Sequence, residues 1–166
     1  GLPICEDIWN ETVIDCLSET GAEIIISINA SPYTTKKIDQ RMSVAVSRVF
    51  ESKLPLIYLN RVGGQDELVF DGSSFCLSDS GELTVQLSDF KEEILNIDLY
   101  KNNNKWNFQK NIKNISSNIE ALYKSLVVSV KDYVHNNGFP GVVLGMSGGV
   151  DSALVAAIAT MLWGQI

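Results

Sequence analysis

Apolar and polar positions follow two different periods in the first sixty residues of the chain. Short apolar runs, which are typical of strands, occur at residues 2–5, 23–29 and 55–59. Between these runs, apolar side chains recur every three or four positions at residues 11–19, and again from a cap at Thr34 or Thr35 to about residue 53. Such spacing is typical of amphipathic helices. Strand, helix, strand, helix, strand predicts a partly parallel sheet with helices packed on it.

The middle of the chain is less periodic. Residues 60–72 predict a long polar loop, and residues 73–77 and 82–87 predict a hairpin around the turn sequence Ser-Asp-Ser-Gly. Residues 93–99 alternate between apolar and polar and predict a further strand. Residues 101–114 are rich in Asn and Lys and fit no period, so they predict a linker.

The last fifty residues return to regular patterns. Helical spacing runs from a cap at Ser116 or Ser117 to about residue 137, and Gly138 predicts its end. The apolar run at residues 142–144 predicts a buried parallel strand, and residues 150–163, which lack Gly and Pro, predict a helix. A strand, a glycine turn and a helix in this order direct backbone N–H groups and a helix N-terminus toward an anion.

The glycine turn does not fit the two commonest nucleotide-binding patterns. The spacing of Gly145, Gly148 and Gly149 differs from G-x-G-x-x-G, and the turn lacks the lysine of the G-x-x-x-x-G-K-[ST] loop. The pattern that remains is S-G-G-V-D-S at residues 147–152, whose glycines permit close backbone approach and whose serines add hydroxyl donors. An ordinary tight turn capped by Ser147 is the alternative interpretation.

Composition narrows the class of protein. The 166 residues are 45% hydrophobic and 20% charged, which is typical of a globular chain. A net charge of −7 argues against a nucleic-acid partner or a membrane surface. Three cysteines cannot all pair, so we expect a reduced, cytoplasmic setting. Because the sequence opens on a strand and ends one helix after the glycine turn, we expect it to join the end of one domain to the start of another.

Cys5 is the first candidate for chemistry. It lies where a predicted strand ends and a helical segment is about to begin, a position that can favour the thiolate. Glu6 and Asp7 oppose this effect unless a cation lies near. A small buried cysteine without chemistry therefore remains the alternative on position alone.

Other charged residues carry weaker signals. Asp66, Glu67 and Asp71 lack a histidine and a regular ligand spacing, which favours a solvated or hydrogen-bonded loop over a metal site. Arg41 and Arg48 are predicted to be solvated charges on their helix.

Two sets of residues resemble known families. The S-G-G-V-D-S sequence resembles the pyrophosphate loop of the ATP pyrophosphatases. The sequence I-C-E-D-I-W at residues 4–9, N-A-S-P-Y at residues 29–33 and the thirteen residues 60–72 resemble the glutaminase half of the glutamine-dependent NAD synthetases, a nitrilase-like amidohydrolase. The resemblance implies an α/β fold: the C-terminal part of a nitrilase-like sandwich (residues 1–100), a linker (101–114), and the first strand, loop and helix of a doubly wound ATP-pyrophosphatase domain (115–166).

The resemblance also implies roles for individual residues. Cys5 is similar to the nucleophile that attacks the glutamine side-chain amide, and Glu6 and Ser31 to groups that bind the glutamine substrate. The residues that would hold the ATP phosphates are Ser147, Gly148, Gly149, Val150, Asp151 and Ser152. Asp151 would also orient the loop or help to hold Mg²⁺. The ammonia released from glutamine would convert deamido-NAD to NAD, with AMP and pyrophosphate as the other products.

The chain also departs from the family pattern. The Glu and Lys that complete the family's catalytic triad lie upstream of the cysteine, and this sequence begins four residues before Cys5. We therefore expect the isolated chain to be inactive. For the full-length protein, we expect a cytoplasmic homo-oligomer. Residues 160–166 match no pattern of the family. A truncated or decayed chain without catalysis, or another glutamine-fed ATP pyrophosphatase, is the alternative.

Overall fold

The structure is a computed structural model that describes residues 1–102 and 105–163, and of Lys105, Leu162 and Trp163 only the backbone. The helices are α1 (Glu11–Glu19), α2 (Lys37–Ser52), α3 (Asn118–Asn136) and α4 (Val150–Trp163), with a 3-10 turn at Cys5–Trp9. The strands are β1 (Ile25–Asn29), β2 (Leu56–Asn60), β3 (Val62–Gln65), β4 (Leu68–Asp71), β5 (Phe75–Leu77), β6 (Leu83–Gln86), β7 (Leu99–Asn102), β8 (Lys105–Phe108) and β9 (Asn111–Ile112).

A five-stranded mixed sheet organises the first part of the chain. Its order is β1-β2-β5-β6-β9, with β1 and β2 parallel and β5 antiparallel to both of its neighbours, β2 and β6. The predicted parallel pair is therefore confirmed by the register of β1 and β2, which the crossover helix α2 joins. The predicted hairpin around Ser-Asp-Ser-Gly is confirmed as β5 and β6. Since β1 and β2 run in the same direction, both place their carboxyl ends at one edge of the sheet.

The hydrophobic core lies between this sheet and the helices α1 and α2. Ile14, Ala45, Val49, Leu56 and Leu77 are fully buried in it. Burial of one valine or leucine side chain stabilises the folded chain by about 1.5–3 kcal/mol. The core therefore holds α2 and the sheet together as one unit.

The opposite face of the sheet is apolar as well. Ile28 and Leu59 alternate with the core residues of β1 and β2, and both are about half exposed. A sheet that is apolar on both faces is typical of an architecture in which each face is covered by another layer.

The segment before Cys5 runs alongside β1. The amides of Ile26 and Ile28 donate hydrogen bonds to the carbonyls of Gly1 (2.9 Å) and Pro3 (3.2 Å), and Ile4 forms a parallel bridge with Ile28. The strand predicted at residues 2–5 is therefore extended and paired, but only Ile4 forms a bridge.

The predicted polar loop at residues 60–72 is a hairpin, so that prediction is wrong. Strands β3 and β4 pair antiparallel, and the hairpin packs against α3. The Gly64 amide donates to Asp132 Oδ2 at 2.6 Å, and a Cβ at Gly64 would lie 3.3 Å from Asp132 Cβ. Paired glycines thus allow a strand to approach a helix closely, and their lack of side chains removed the alternation that predicts a strand.

The predicted ends of α1 and α3 and the predicted cap of α3 are confirmed, whereas the predicted cap of α2 is not. Gly21 (φ 91°) and Gly138 (φ 67°) adopt the left-handed conformation after α1 and α3, and Ser117 caps α3 by accepting from the Glu120 amide. The predicted cap at Thr34 or Thr35 is wrong: Lys36 is the N-cap of α2 and makes no side-chain capping bond. The Thr34 carbonyl accepts from Lys37 N instead, which forms a turn before the helix.

The strand predicted at residues 93–99 is also wrong, since only Leu99 lies in a strand. Leu95 and Ile97 nevertheless pack against the cluster formed by Cys76, Val85 and Phe108. The alternation therefore reflects burial of one side of an extended segment, and no described strand pairs with it.

The segment predicted as a linker contains regular structure. β7 and β8 form a hairpin, and β9 pairs parallel with β6, which adds the last strand to the sheet. The domain boundaries at 100, 114 and 115 stay predictions. Residues 103 and 104 of this linker, and residues 164–166 of the predicted second domain, lie outside the described residues.

The predicted strand at residues 142–144 is absent, whereas α4 spans the predicted helix. Val142, Val143 and Leu144 have no ladder partner in the described part of the chain and are exposed. A parallel strand exists only through its neighbours, so an apolar sequence alone does not form one.

Candidate functional site

Cys5 lies at the edge of the sheet where β1 and β2 end. It is the first residue of the 3-10 turn and has φ 51°, a left-handed conformation that is strained for a residue with a side chain. Asp7 holds this turn, because its carboxylate accepts from Ile4 N at 2.9 Å and its amide donates to Ile4 O at 3.1 Å. Ile8 is fully buried and anchors the turn in the core. The Cys5 side chain is consequently fixed in a half-exposed position.

Ser31 and Asn60 connect the carboxyl ends of β1 and β2. The Ser31 amide donates to Asn60 Oδ1 at 2.9 Å, and Asn60 Nδ2 donates to Ser31 O at 3.4 Å. Asn29 Nδ2 donates to Leu59 O at 3.0 Å, and Asn60 N donates to Ser74 Oγ at 2.9 Å. These amide side chains satisfy backbone groups where the ladder ends, so they fix the turn that carries Ser31.

Arg41 lies at the centre of this polar edge, and its side chain is only 2% exposed. Nε donates to Ser31 Oγ at 3.0 Å, and Nη2 donates to the carbonyls of Ser31 (2.7 Å) and Pro32 (3.1 Å). Nη1 donates to Asp71 Oδ2 at 2.9 Å and lies 2.8 Å from Oδ1. The prediction that Arg41 is a solvated charge is wrong. Asp71 is equally buried, and its interaction is an ion pair.

The position of Arg41 in the apolar pattern of α2 indicates that it is buried. Arg41, Ala45 and Val49 are four residues apart and form the buried stripe of α2. A charged residue in such a stripe needs a partner. The partner, Asp71, comes from the end of β4, thirty residues away, and no local pattern predicts it.

Tyr58 is a further member of the site that the sequence did not indicate. It stacks on Phe75, with the ring centroids 4.9 Å apart. Burial raises the pKa of its hydroxyl, and the nearby Arg41 guanidinium and Ser31 oppose the rise. The hydroxyl lies near Ser31, but it has no partner with hydrogen-bond geometry among the described residues.

The structure therefore brings Cys5, Ser31 and Asn60 to one edge, and adds Arg41 and Tyr58 to them. Glu6 is exposed next to Cys5. The roles predicted for Cys5, Glu6 and Ser31 stay predictions.

The three cysteines differ in environment, which gives a first testable prediction. Cys16 is exposed, whereas burial raises the pKa of the Cys76 thiol to about 12. At pH 8.5, iodoacetamide should modify Cys16 and leave Cys76 unmodified until urea unfolds the chain, as measured by peptide mass spectrometry. Between about pH 9 and 12 the folded thiol keeps a proton that the unfolded thiol loses, so stability should fall as the pH rises. Equal labelling of both thiols in the folded chain would contradict the burial of Cys76.

The S-G-G-V-D-S loop lies at the N-terminus of α4. The first helical hydrogen bond runs from Ala153 N to Gly149 O, which leaves the amides of Val150, Asp151 and Ser152 directed beyond the helix end. Gly148 has φ 81°, a conformation that favours glycine. The strand before the loop is absent, but the glycine turn and the helix are present.

The two serines of the loop lie close together. Their hydroxyls are 3.1 Å apart, and Ser152 Oγ also donates to Gly149 O at 3.0 Å. Gly149 N donates to Ser147 Oγ at 3.4 Å. Backbone amides and two hydroxyls at one helix N-terminus form a donor set suited to phosphate oxygens.

Asp151 was predicted to help hold a metal ion. It is exposed in the first turn of α4. Among the described residues, no group of three or more His, Cys, Asp or Glu side chains is arranged to hold a metal. The metal role of Asp151 stays a prediction.

Comparison with known proteins assigns the Cys5 edge of the sheet and the S-G-G-V-D-S loop to two family matches that follow each other along the chain. Residues 1–121 match the carbon-nitrogen hydrolase family, and residues 122–166 match the NAD synthase family. The chain belongs to the carbon-nitrogen hydrolase family. The glutamine-dependent NAD(+) synthetase of Rhodobacter capsulatus is 45% identical over 160 residues, which are 96% of this chain and 29% of that protein. The synthetase of Acinetobacter baylyi is 42% identical over 164 residues, again 96% and 29% of the two chains.

A solved relative supports the same relationship in three dimensions. The glutamine-dependent NAD+ synthetase from Acinetobacter baumannii, solved in complex with adenosine diphosphate, has a TM-score of 0.89 and 36% identity. The match covers 99% of this carbon-nitrogen hydrolase chain and 31% of that protein. The resemblance to the glutamine-dependent NAD synthetases, and the nitrilase-like fold followed by the start of the synthase domain, are confirmed. The chain spans less than a third of the length of these relatives.

Proposed function

We propose that this chain is the segment of a glutamine-dependent NAD synthetase that links the glutaminase nucleophile to the ATP site. One observation carries the proposal. A single chain places Cys5 at the edge of a nitrilase-like sheet and an S-G-G-V-D-S loop at the start of α4, and matches to two families meet at residues 121 and 122.

In the glutaminase reaction, the Cys5 thiolate attacks the carbon of the glutamine side-chain amide. The resulting tetrahedral intermediate collapses to a thioester and releases ammonia, and water then hydrolyses the thioester to glutamate. The turn at Ser31 and the exposed Glu6 would bind the glutamine substrate. The general base and the cation that assist this chemistry are the Glu and Lys that the family resemblance implies upstream of Cys5.

In the synthetase reaction, the loop would hold the phosphates of ATP while AMP is transferred to deamido-NAD. Ammonia then displaces AMP and forms the amide of NAD. The donor set of residues 147–152 supports this role. The oxygen ligands that Mg²⁺ prefers in nucleotide sites are one or two carboxylates together with phosphates, so Asp151 would help to hold Mg²⁺ beside them.

We further propose a cytoplasmic, homo-oligomeric full-length protein. All three cysteines are free, which fits a reducing compartment. Among the described helices, none combines the length and apolar character needed to cross a bilayer.

The decisive experiment uses a chimeric synthetase, in which this chain replaces the matching segment of the Rhodobacter capsulatus enzyme. Cys5→Ala should lower NAD formation from glutamine by at least about 1,000-fold, because the nucleophile is lost. NAD formation from ammonium chloride should stay within about twofold, because the ATP site is separate. Both rates are measured by NAD production with ATP and deamido-NAD.

Matched controls make this experiment specific. Cys16→Ala removes an exposed thiol on α1 and should leave both rates unchanged. The isolated 166-residue chain should release no glutamate from glutamine, since the predicted Glu and Lys are missing. Retention of glutamine-dependent synthesis by Cys5→Ala, or an equal loss of both rates in a folded protein, would refute the proposed division of labour.

A further inference from the structure

We propose that Arg41 is a positioning residue of the glutaminase site, which locks the Ser31–Pro32 turn and leaves the Ser31 hydroxyl as a hydrogen-bond donor at the sheet edge that carries Cys5. This inference rests on the proposed glutaminase function. Arg41 contacts Ser31 directly, through both its hydroxyl and its carbonyl.

The guanidinium of Arg41 is committed to the protein. Each of its three nitrogens donates to this chain: Nε to the Ser31 hydroxyl, Nη1 to Asp71 and Nη2 to the carbonyls of Ser31 and Pro32. Its side chain is 2% exposed. Arg41 therefore has neither a free nitrogen nor the access needed to bind a glutamine carboxylate directly, and any effect on the reaction must pass through the groups it holds.

The contact with Ser31 determines what that hydroxyl can do. A serine hydroxyl has one hydrogen and two lone pairs. Because one lone pair accepts from Arg41 Nε, the hydrogen points away from the guanidinium. Cys5 follows Ile4, which bridges Ile28 of β1, so the turn that carries the thiol lies at the same sheet edge as the Ser31 turn. Ser31 thus keeps its hydroxyl hydrogen for a donor bond at the sheet edge that also carries Cys5.

Asp71 makes the arrangement possible in the interior. Its carboxylate is fully buried and balances the charge of Arg41, which would otherwise not remain dehydrated. The Asp71 carbonyl also accepts from Phe90 N at 2.8 Å, which fixes the carboxyl end of β4. The ion pair therefore connects α2, the turn after β1 and the end of the β3–β4 hairpin at one point.

Lysine cannot reproduce this set of contacts. Its single ammonium can approach one partner closely, but it lacks the planar fork that reaches a hydroxyl, a carboxylate and two carbonyls at once. Arg41→Lys thus keeps the positive charge opposite Asp71 but loses the hydrogen bonds that hold the Ser31–Pro32 turn. The variant therefore distinguishes the effect of positioning Ser31 from the effect of the charge.

The test measures glutamine kinetics in the chimeric synthetase. Arg41→Lys should raise the KM for glutamine by at least about tenfold while kcat at saturating glutamine and the ammonia-dependent rate each change by less than about threefold. Retained kcat reports that the glutaminase site is folded. Arg48→Lys is the matched control, because Arg48 lies on the same helix and pairs with Glu51 outside the site, and its KM should not change.

A second variant tests whether the effect passes through Ser31. In a Ser31→Ala background, Arg41→Lys should raise KM by less than about twofold further, since the group it positions is gone. If Arg41→Lys does not fold, Asp71→Asn keeps the guanidinium and should raise KM in the same direction. An unchanged KM, an equal loss of glutamine- and ammonia-dependent rates, or a full tenfold effect without Ser31 would overturn the proposal. If Cys5→Ala keeps glutamine-dependent synthesis, the proposed function itself fails instead.

Discussion

Asp71→Ala should destabilise the chain by about 3–5 kcal/mol, which would be the largest effect of any substitution near the candidate site. The variant leaves the guanidinium of Arg41 buried without a counter-charge, in a position that is 2% exposed. The loss of an attractive contact is the smaller part of this effect. The larger part is the free energy of keeping an uncompensated charge out of water.

Urea denaturation of the 166-residue chain, followed by circular dichroism, measures this change in the free energy of unfolding. Asp15→Ala is the control, because Asp15 is an exposed carboxylate on α1 and its removal should change stability by less than about 0.5 kcal/mol. The double variant Arg41→Met with Asp71→Ala should recover part of the loss, since no unpaired charge remains. A cost below about 1 kcal/mol for Asp71→Ala would show that water reaches Arg41.

Elements with their own period could be predicted from the sequence. Helices α1, α3 and α4 have the predicted extents to within two residues, and β1 and β2 pair in parallel as expected. In each case the signal is local, because the apolar spacing and the turn residues lie within the element itself.

Elements that depend on distant partners could not be predicted in this way. The β3–β4 hairpin contains Gly63 and Gly64, so its sequence lacks the apolar and polar alternation of a strand. The hairpin is held instead by its close contact with Asp132 of α3. Residues 142–144 have the composition of a strand, but no described strand pairs with them. Pairing is a property of two segments, and one segment's sequence contains only half of the information.

In the candidate site, too, some residues could be predicted from the sequence and others only from the fold. Cys5, Ser31 and the S-G-G-V-D-S loop could be found because family resemblance marks them. Arg41 and Tyr58 lie on a helix stripe and a strand face that are typical of ordinary packing. Only the fold reveals that Arg41 binds Ser31 and that the Tyr58 hydroxyl is buried without a partner among the described residues. Residues that hold a site in place therefore escape motif searches more easily than residues that perform its chemistry.

Gly149→Val in the chimeric synthetase should lower ATP-dependent adenylation by about 100-fold or more, while glutamine hydrolysis stays largely intact. Residue 149 precedes the first turn of α4, and its amide donates to Ser147 Oγ beside the open helix end that would receive a phosphate. A branched side chain there blocks the approach of a phosphate to the amides of the helix end, a loss of the size seen when one preorganised donor is deleted. The proposed nucleophile of glutamine hydrolysis, Cys5, lies in the other family's part of the chain.

The choice of glycine makes this a test of binding rather than of folding. A Cβ at Gly149 would meet only Ser147 Oγ at 3.5 Å, which is ordinary contact, whereas Gly148 has φ 81° and any side chain there would be strained. Gly141→Val is the matched control, because a Cβ at Gly141 has no neighbour within 4 Å. The measurement is pyrophosphate release from ATP with deamido-NAD and ammonia. Because the loop has two hydroxyls and an open helix end but no lysine, a phosphate would have to approach the backbone closely, which a valine side chain prevents. A folded Gly149→Val chimera that released pyrophosphate at the unmodified rate would mean that ATP binds elsewhere.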